Sequence, residues 1–256
     1  MEPFELVDRA LMANKPQSTL EELQTAGVFQ QAYPEIQAMV GFGGGESGHK
    51  DLWDHTKRVV SQTIERRAVR WAALFHDVGK VPTFSRNSGK VTFHGHEVVS
   101  ARLFDKAARR VDMPADLRKH IRFLVRHLGH VEAYASEWTD SAVRRVQRDM
   151  GEYFDDLVWL ASADITTRHA HKREQHKQRI AELRERAAAI AKKDAELPLL
   201  PKGLGEAIIE AFALKPGPRI GQLRFLAEAA VKEGKLPPRE DAQVYIEYLK
   251  EHADDA

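Results

Sequence analysis

The chain has 256 residues, a formal net charge of +1 and no cysteine. With 43% hydrophobic and 30% charged residues it can bury a sizeable core, which excludes intrinsic disorder. The missing cysteines exclude a disulfide framework and any Cys-ligated zinc or iron–sulfur site, so a metal must sit on histidine and carboxylate.

The N-terminal segment Met1-Glu2-Pro3-Phe4-Glu5 lacks the basic start and apolar core of a signal peptide. No run of about eighteen apolar residues follows, so the expectation is a cytoplasmic protein with no membrane span. Residues 1–40 read as short helices. Leu6, Val7, Ala10 and Leu11 fit a helical stripe, Ser18-Thr19 before Glu21-Glu22 looks like a helix start, and Tyr33-Pro34-Glu35-Ile36 opens another. Residues 41–50 form a glycine-rich loop. It nearly matches a phosphate-binding P-loop, but His49 stands where the lysine belongs and no strand pattern precedes it, so it reads as a connector. From Asp51 the pattern turns helical. Leu52, Trp53, Val59 and Val60 share one helix, and Ala68 to Val78 is apolar nearly all round, as a central buried helix should be. Residues 82–95, with Pro82, Gly89 and Gly95, form a loop containing a short extended piece at 90–93. Helices are expected at 96–110, 114–128 and 138–149, then a long one over 152–192 whose second half is highly charged. After Leu197-Pro198-Leu199-Leu200-Pro201 the composition shifts to a small helical tail, turning at Lys215-Pro216-Gly217-Pro218-Arg219. The expected organisation is an all-α chain with a lead-in at 1–40, a main domain at 41–195 and a tail at 196–256.

Within this frame one stretch stands out, Leu74-Phe75-His76-Asp77-Val78-Gly79-Lys80. Two ligand-type side chains at the end of a buried helix are costly unless something binds them. Asp164 adds to the case. Leu157, Leu160, Ala161 and Asp164 lie three and four apart, so the carboxylate falls on a core-facing stripe, where a charge must be paired or bind a cation. His55 lies in an earlier helix, His94 and His96 flank Gly95, and His120 and His127 share one helix face seven residues apart. A lone helical histidine is more often packed or exposed than ligating. His49, His130, His169, His171, His176 and His252 are assigned to that class. Mn²⁺, Fe²⁺, Co²⁺, Ni²⁺ and Mg²⁺ suit a mixed His/carboxylate site, and Zn²⁺ stays open.

His55, then His76-Asp77, then Asp164, on successive helices, resembles the signature of the HD-domain metal-dependent phosphohydrolases. Leu-Trp-Asp-His-Thr (52–56), Leu-Phe-His-Asp-Val-Gly-Lys (74–80), Phe-His-Gly-His-Glu (93–97) and Ala-Asp-Ile (163–165) resemble the HD region of the tRNA nucleotidyltransferase / poly(A) polymerase family. Leu-Lys-Pro-Gly-Pro-Arg-Ile-Gly (214–221), Glu-Gly-Lys-Leu-Pro (233–237) and Tyr-Pro-Glu-Ile (33–36) extend the likeness to the tail and the lead-in. The family's polymerising head carries a Gly-Ser turn and paired D-x-D carboxylates. No D-x-D occurs in this sequence, and only some thirty residues precede the match. The expectation is therefore an HD portion and tail standing alone, an HD-type helical bundle with a small helical tail.

The resemblance implies that His55, His76, Asp77 and Asp164 hold one divalent ion, that a water bound to it attacks phosphorus, and that His96 and His127 are candidates for holding a second ion. Lys80 is then a cation for a phosphate oxygen, or otherwise an ordinary helix C-terminal cation. His94 and His120 are candidates for orienting a ligand or phosphate. The implied substrate is a phosphoester of a nucleotide or an RNA end, as a phosphomonoester or a 2′,3′-cyclic phosphate. The alternatives are a non-catalytic RNA- or tRNA-binding module on the same scaffold, and a nucleotidase or triphosphohydrolase acting on free nucleotides. The basic run Arg168-His169-Ala170-His171-Lys172-Arg173, with Arg144-Arg145 and Arg109-Arg110, could guide an anionic substrate. Glu174, Glu182 and Glu185 interleave further along, the pattern of a solvated helix with local ion pairs. The oligomeric state is left open, a homo-oligomer included.

Overall fold

The computed structural model describes residues 2–43, 51–88, 90–165, 169–196 and 198–252. Most of the P-loop-like loop, with His49, lies outside them, as do Gly89, Arg168 and Leu197. The described residues form α-helices and one two-stranded hairpin, and divide into two compact units, 1–190 and 191–256.

In the first unit, α1 (Pro3–Leu11), α2 (Pro16–Thr25), α3 (Val28–Ala32) and α4 (Pro34–Gln37) make the lead-in. Three of the four begin on proline, whose fixed φ and missing N–H suit a first helical position. Their apolar residues, among them Val7, Leu11, Leu20, Phe29 and Ile36, join one core with the helices that follow. That core is organised around α6 (Arg67–Phe75), in which every residue from Ala68 to Phe75 is buried. Tyr33 and Phe75 lie 6.1 and 6.2 Å from Trp71 between ring centroids, and Phe104 lies 5.1 Å from Phe75. Buried rings of this size dominate core energetics.

Some of the polar groups that enter the core tie the lead-in to α6. Arg70 donates to the carbonyl of Leu11 at 2.7 Å, satisfying an orphan carbonyl at the end of α1. Asp8 accepts from Trp71 Nε1 at 2.9 Å and from both sides of the Arg67 guanidinium at 2.7 and 2.6 Å. Replacing Asp8 with alanine strands the indole N–H, so Asp8→Ala should cost about 2 kcal/mol. Urea denaturation checks this, and an unchanged midpoint would remove Asp8 as an anchor of the lead-in.

Around α6 stand α5 (Leu52–Gln62), α8 (His96–Arg110), α9 (Ala115–Glu132), α10 (Asp140–Met150) and α11 (Phe154–Ala163). Asp51 caps α5 through its side chain, and Thr139 caps α10. Between α6 and α8 run a single turn, α7 (Lys80–Thr83), and an antiparallel hairpin of β1 (Ser85–Asn87) and β2 (Lys90–Thr92), so the extended piece expected at 90–93 has a partner strand.

The long helix expected over 152–192 is a correction. A 3₁₀ turn at Gly151–Tyr153 leads into α11, which ends at Ala163, and α12 (Ala170–Glu196) begins separately. Ile165-Thr166-Thr167 is a β-branched run, and such residues lose side-chain freedom in a helix. His176 on α12 lies 2.7 Å from the Ala161 carbonyl with Nε2 donating, so α12 satisfies the end of α11 instead of continuing it. Ile180, Leu183, Ala187 and Ile190 of α12 are buried in the same core.

The second unit holds α13 (Leu204–Phe212), α14 (Pro218–Lys232) and α15 (Ala242–His252). Leu204, Ile208, Leu223, Ala227, Tyr245, Ile246 and Leu249 form its own core. The Tyr245 hydroxyl donates to the Pro237 carbonyl at 2.7 Å, fixing the link between α14 and α15.

Candidate metal centre

The end of α6 sets the site. The helix stops at Phe75, and His76 and Asp77 follow in a tight turn, 2% and 1% exposed. Gly79 closes that turn. A Cβ there would lie 2.3 Å from the His96 carbonyl oxygen and 2.7 Å from the Ser100 backbone nitrogen, so only glycine lets α8 approach. Gly79 N–H donates to the buried Ser100 hydroxyl at 2.8 Å. The turn therefore delivers His76 and Asp77 and seats the start of α8 beside them.

Three other elements converge on this point. His55 comes from α5, and His96 is the first residue of α8. Asp164 follows Ala163 as the residue that closes α11. His55 Nε2 lies 3.2 Å from His76 Nε2, 3.2 Å from Asp77 Oδ2 and 3.0 Å from Asp164 Oδ1. His76 Nε2 is 3.3 Å from each of the same carboxylate oxygens. Lys80 Nζ is 2.6 Å from Asp77 Oδ2, and His96 Nε2 faces Asp77 Oδ1 at 3.6 Å.

These spacings fit a cation. Donor atoms sharing one ion at about 2.1 Å stand roughly 3 Å apart. Asp164 Oδ1 is buried and completes no well-angled hydrogen bond although two imidazole nitrogens face it. His76 Nδ1 lies 2.8 Å from the Ala73 carbonyl, and His96 Nδ1 lies 3.1 Å from that of Phe93. A donor hydrogen bond from Nδ1 fixes the tautomer that leaves Nε2 bare for a ligand. The His55, His76 and Asp164 group could therefore hold a metal ion.

The electrostatics point the same way. Burial disfavours charge on His76, but Asp77 and Asp164 outweigh it and raise its pKa well above the usual value. Burial likewise opposes a charged His55, and hydrogen bonds to Asp164 and Asp77 raise its pKa overall. Burial would push Asp77 and Asp164 up, yet both are held low, chiefly by His76. Lys80 is raised, since the pull of Asp77 exceeds its desolvation. Positive charge is strongly favoured here, whether on protons or on an ion that displaces them.

Glu132, the last residue of α9, was not expected at the site. Burial and the neighbouring Asp164 push its carboxyl up to about 9. A sequence signal existed. Ile121, Val125, Leu128 and Glu132 share one face, the stripe logic that singles out Asp164. Ending the helix at 128 hid it, because α9 runs one turn further.

The remaining expected residues lie elsewhere or at the edge. His94 is exposed. His120 Nε2 lies 3.0 Å from Asp156 Oδ2, its ring is 4.4 Å from that of Tyr153, and Asp156 also takes Arg66. Among the described residues the ring contacts of His127 are with Phe123 and His130, not with the cluster. Of the basic pairs, Arg109 meets Asp105, Arg110 meets Glu35, and Arg145 meets Asp149.

A family model described as the HD domain matches residues 49–196, more than half of the sequence. The chain belongs to the HD-domain family. That places it in the superfamily of metal-dependent phosphohydrolases. This HD chain is also similar to an A-adding tRNA nucleotidyltransferase of Deinococcus radiodurans, 30% identical over 88% of this chain and 52% of that protein. A CC-adding tRNA nucleotidyltransferase of Thermus thermophilus is 29% identical over 94% of this chain and 55% of its own length. A multifunctional CCA protein of Pseudomonas fluorescens is 27% identical over 79% and 52%. The chain thus spans about half the length of the curated relatives it matches. Among the described residues no helix is long and apolar enough to cross a membrane.

Proposed function

We propose that this chain hydrolyses phosphoesters of nucleotides or RNA ends, as phosphomonoesters or 2′,3′-cyclic phosphates, at a divalent-metal centre. The observation that carries the reading is the convergence of His55, the adjacent His76 and Asp77, and Asp164 from three places in the fold, with the two imidazole Nε2 atoms 3.2 Å apart and each 3.0 to 3.3 Å from an oxygen of Asp77 and of Asp164. A divalent ion held by these residues would supply an acidified water and polarise a phosphoryl oxygen. Membership of the HD family supports the reaction class, and the printed names of the relatives, which concern tRNA, support the substrate class.

The protein's own groups take the following roles. Asp77 offers one oxygen toward His55 and His76 and its other toward His96, so these residues would be the ones to hold divalent metal. Lys80 is charged at neutral pH and partly exposed, so its ammonium can hold a phosphate oxygen and offset charge built in the transition state. Glu132, at the end of α9, adds a carboxyl beside Asp164 whose charge is disfavoured by burial and by Asp164.

A panel of phosphoesters tests the proposal. It should contain p-nitrophenyl phosphate and its bis ester, 2′,3′-cyclic nucleotides, nucleoside mono- and triphosphates and RNA ends, each with Mn²⁺, Ni²⁺, Co²⁺ or Mg²⁺. Turnover should vanish in EDTA and return with metal. Lys80→Ala should keep the metal and lose on the order of 100-fold in kcat. Full activity in that variant would remove Lys80 from the mechanism. A non-catalytic RNA-binding module is the second reading, favoured by the tRNA-directed relatives; the complete ligand set weighs against it.

A further inference from the structure

We infer that Phe84 and Phe93 form a stacking platform for the nucleobase of the substrate, an inference that rests on the nucleotide reading above. Phe84 is one of two large hydrophobic side chains exposed among the described residues, at 44%. Its ring meets Phe42 at 5.8 Å, perpendicular to it, and Phe93 at 6.0 Å. Phe93 in turn sits under the ammonium of Lys80, 5.9 Å from its centroid. That same ammonium is 2.6 Å from Asp77. The aromatic surface therefore starts at the metal centre's own lysine and runs outward from it.

A single exposed ring is ordinary, but this one is held by two other rings, so that three aromatic side chains meet at one place beside Lys80. The hairpin beside it presents Arg86 and Lys90, both exposed, and His94 follows Phe93. Aromatic faces interleaved with cations suit a base with its attached phosphates, because every base has a π-face while the cations take the backbone charge. An apolar peptide would leave Arg86 and Lys90 without a partner charge. A base whose phosphorus lies by Lys80 reaches Phe93 first and Phe84 next. The platform would explain preference for nucleoside phosphoesters over sugar or alkyl phosphates without any base-specific hydrogen bond.

Ribose 5-phosphate, adenosine 5′-monophosphate and a short oligoribonucleotide with a terminal phosphate share a phosphomonoester and differ in bases. Their affinities for the metal-loaded full chain, for Phe84→Ala and for Phe84→Tyr can be compared by calorimetry, with phosphate release followed in parallel. Phe84→Ala should weaken the two base-bearing ligands about five- to a hundred-fold, leave ribose 5-phosphate unchanged, and be rescued by tyrosine. A loss confined to the oligonucleotide would assign the platform to RNA; an equal loss for both base-bearing ligands would assign it to the terminal base. Equal effects with and without a base, no effect of Phe84→Ala, or no binding of either base-bearing ligand to the wild type would overturn the inference. Binding that behaves as expected without any phosphate release would instead overturn the hydrolase reading and leave the platform standing.

Discussion

Asp77→Ala should abolish metal-dependent phosphoester turnover. The Asp77 carboxylate touches more of the site than any other group: His55 and His76 through one oxygen, His96 through the other, and Lys80 at 2.6 Å. Losing a residue that merely orients a ligand costs roughly 10- to 100-fold in affinity or activity, so losing this one should cost on the order of 1,000-fold or more. It also removes a negative charge that helps raise the pKa of His76 and of Lys80, so both should fall in the variant. Bound metal measured by equilibrium dialysis should drop with activity. Turnover equal in wild type and Asp77→Ala would mean that the hydrolysis comes from another protein. Circular dichroism and the thermal midpoint of Asp77→Asn, which keeps the volume, separate a lost ligand from a lost fold.

A second large effect is expected at a residue with no side chain of its own, in Gly79→Ala. The added methyl would sit 2.3 Å from the His96 carbonyl and 2.7 Å from both the backbone nitrogen and the hydroxyl of Ser100. Two of those atoms are backbone, so no side chain can swing away. Either α8 moves, or the turn carrying His76 and Asp77 does. The cost should be about 3 kcal/mol, at the upper end for overpacking a buried site. Ser100→Ala, which removes only the hydrogen bond from Gly79, should cost nearer 1 kcal/mol. Urea denaturation of both variants gives the comparison. If Gly79→Ala were as stable as wild type and equally active, the close approach of α8 would not be what forms the site.

The physical reasons some features can be read from the chain, and others cannot, are visible in particular residues. The buried helix ending at His76-Asp77 is legible because the eight consecutive buried residues from Ala68 to Phe75 are apolar but for Arg70. Asp164 is legible because it continues the stripe of Leu157, Leu160 and Ala161. The break after it is less so, since helical periodicity resumes from Ala170, although Asp164 and Ile165 already lie outside α11. His120 looks equivalent to His127 by spacing alone. Its partner Asp156 lies 36 positions away on α11, and Arg66, which shares that carboxylate, precedes α6. Periodicity places residues on faces; it does not say which faces meet. For the same reason Phe42, Phe84 and Phe93 read as scattered loop aromatics until the hairpin brings their rings together.

Phosphoester hydrolysis should depend on a divalent ion held by His55, His76, Asp77 and Asp164. Titrating Mn²⁺ into the metal-stripped full chain, with bound metal and phosphate release measured in the same samples, tests it most directly. Turnover should rise with bound ion and saturate at the binding stoichiometry, and Asp164→Ala should give neither. Undiminished turnover in the stripped protein, or a tightly bound ion with no hydrolysis of any phosphoester in the panel, would contradict it.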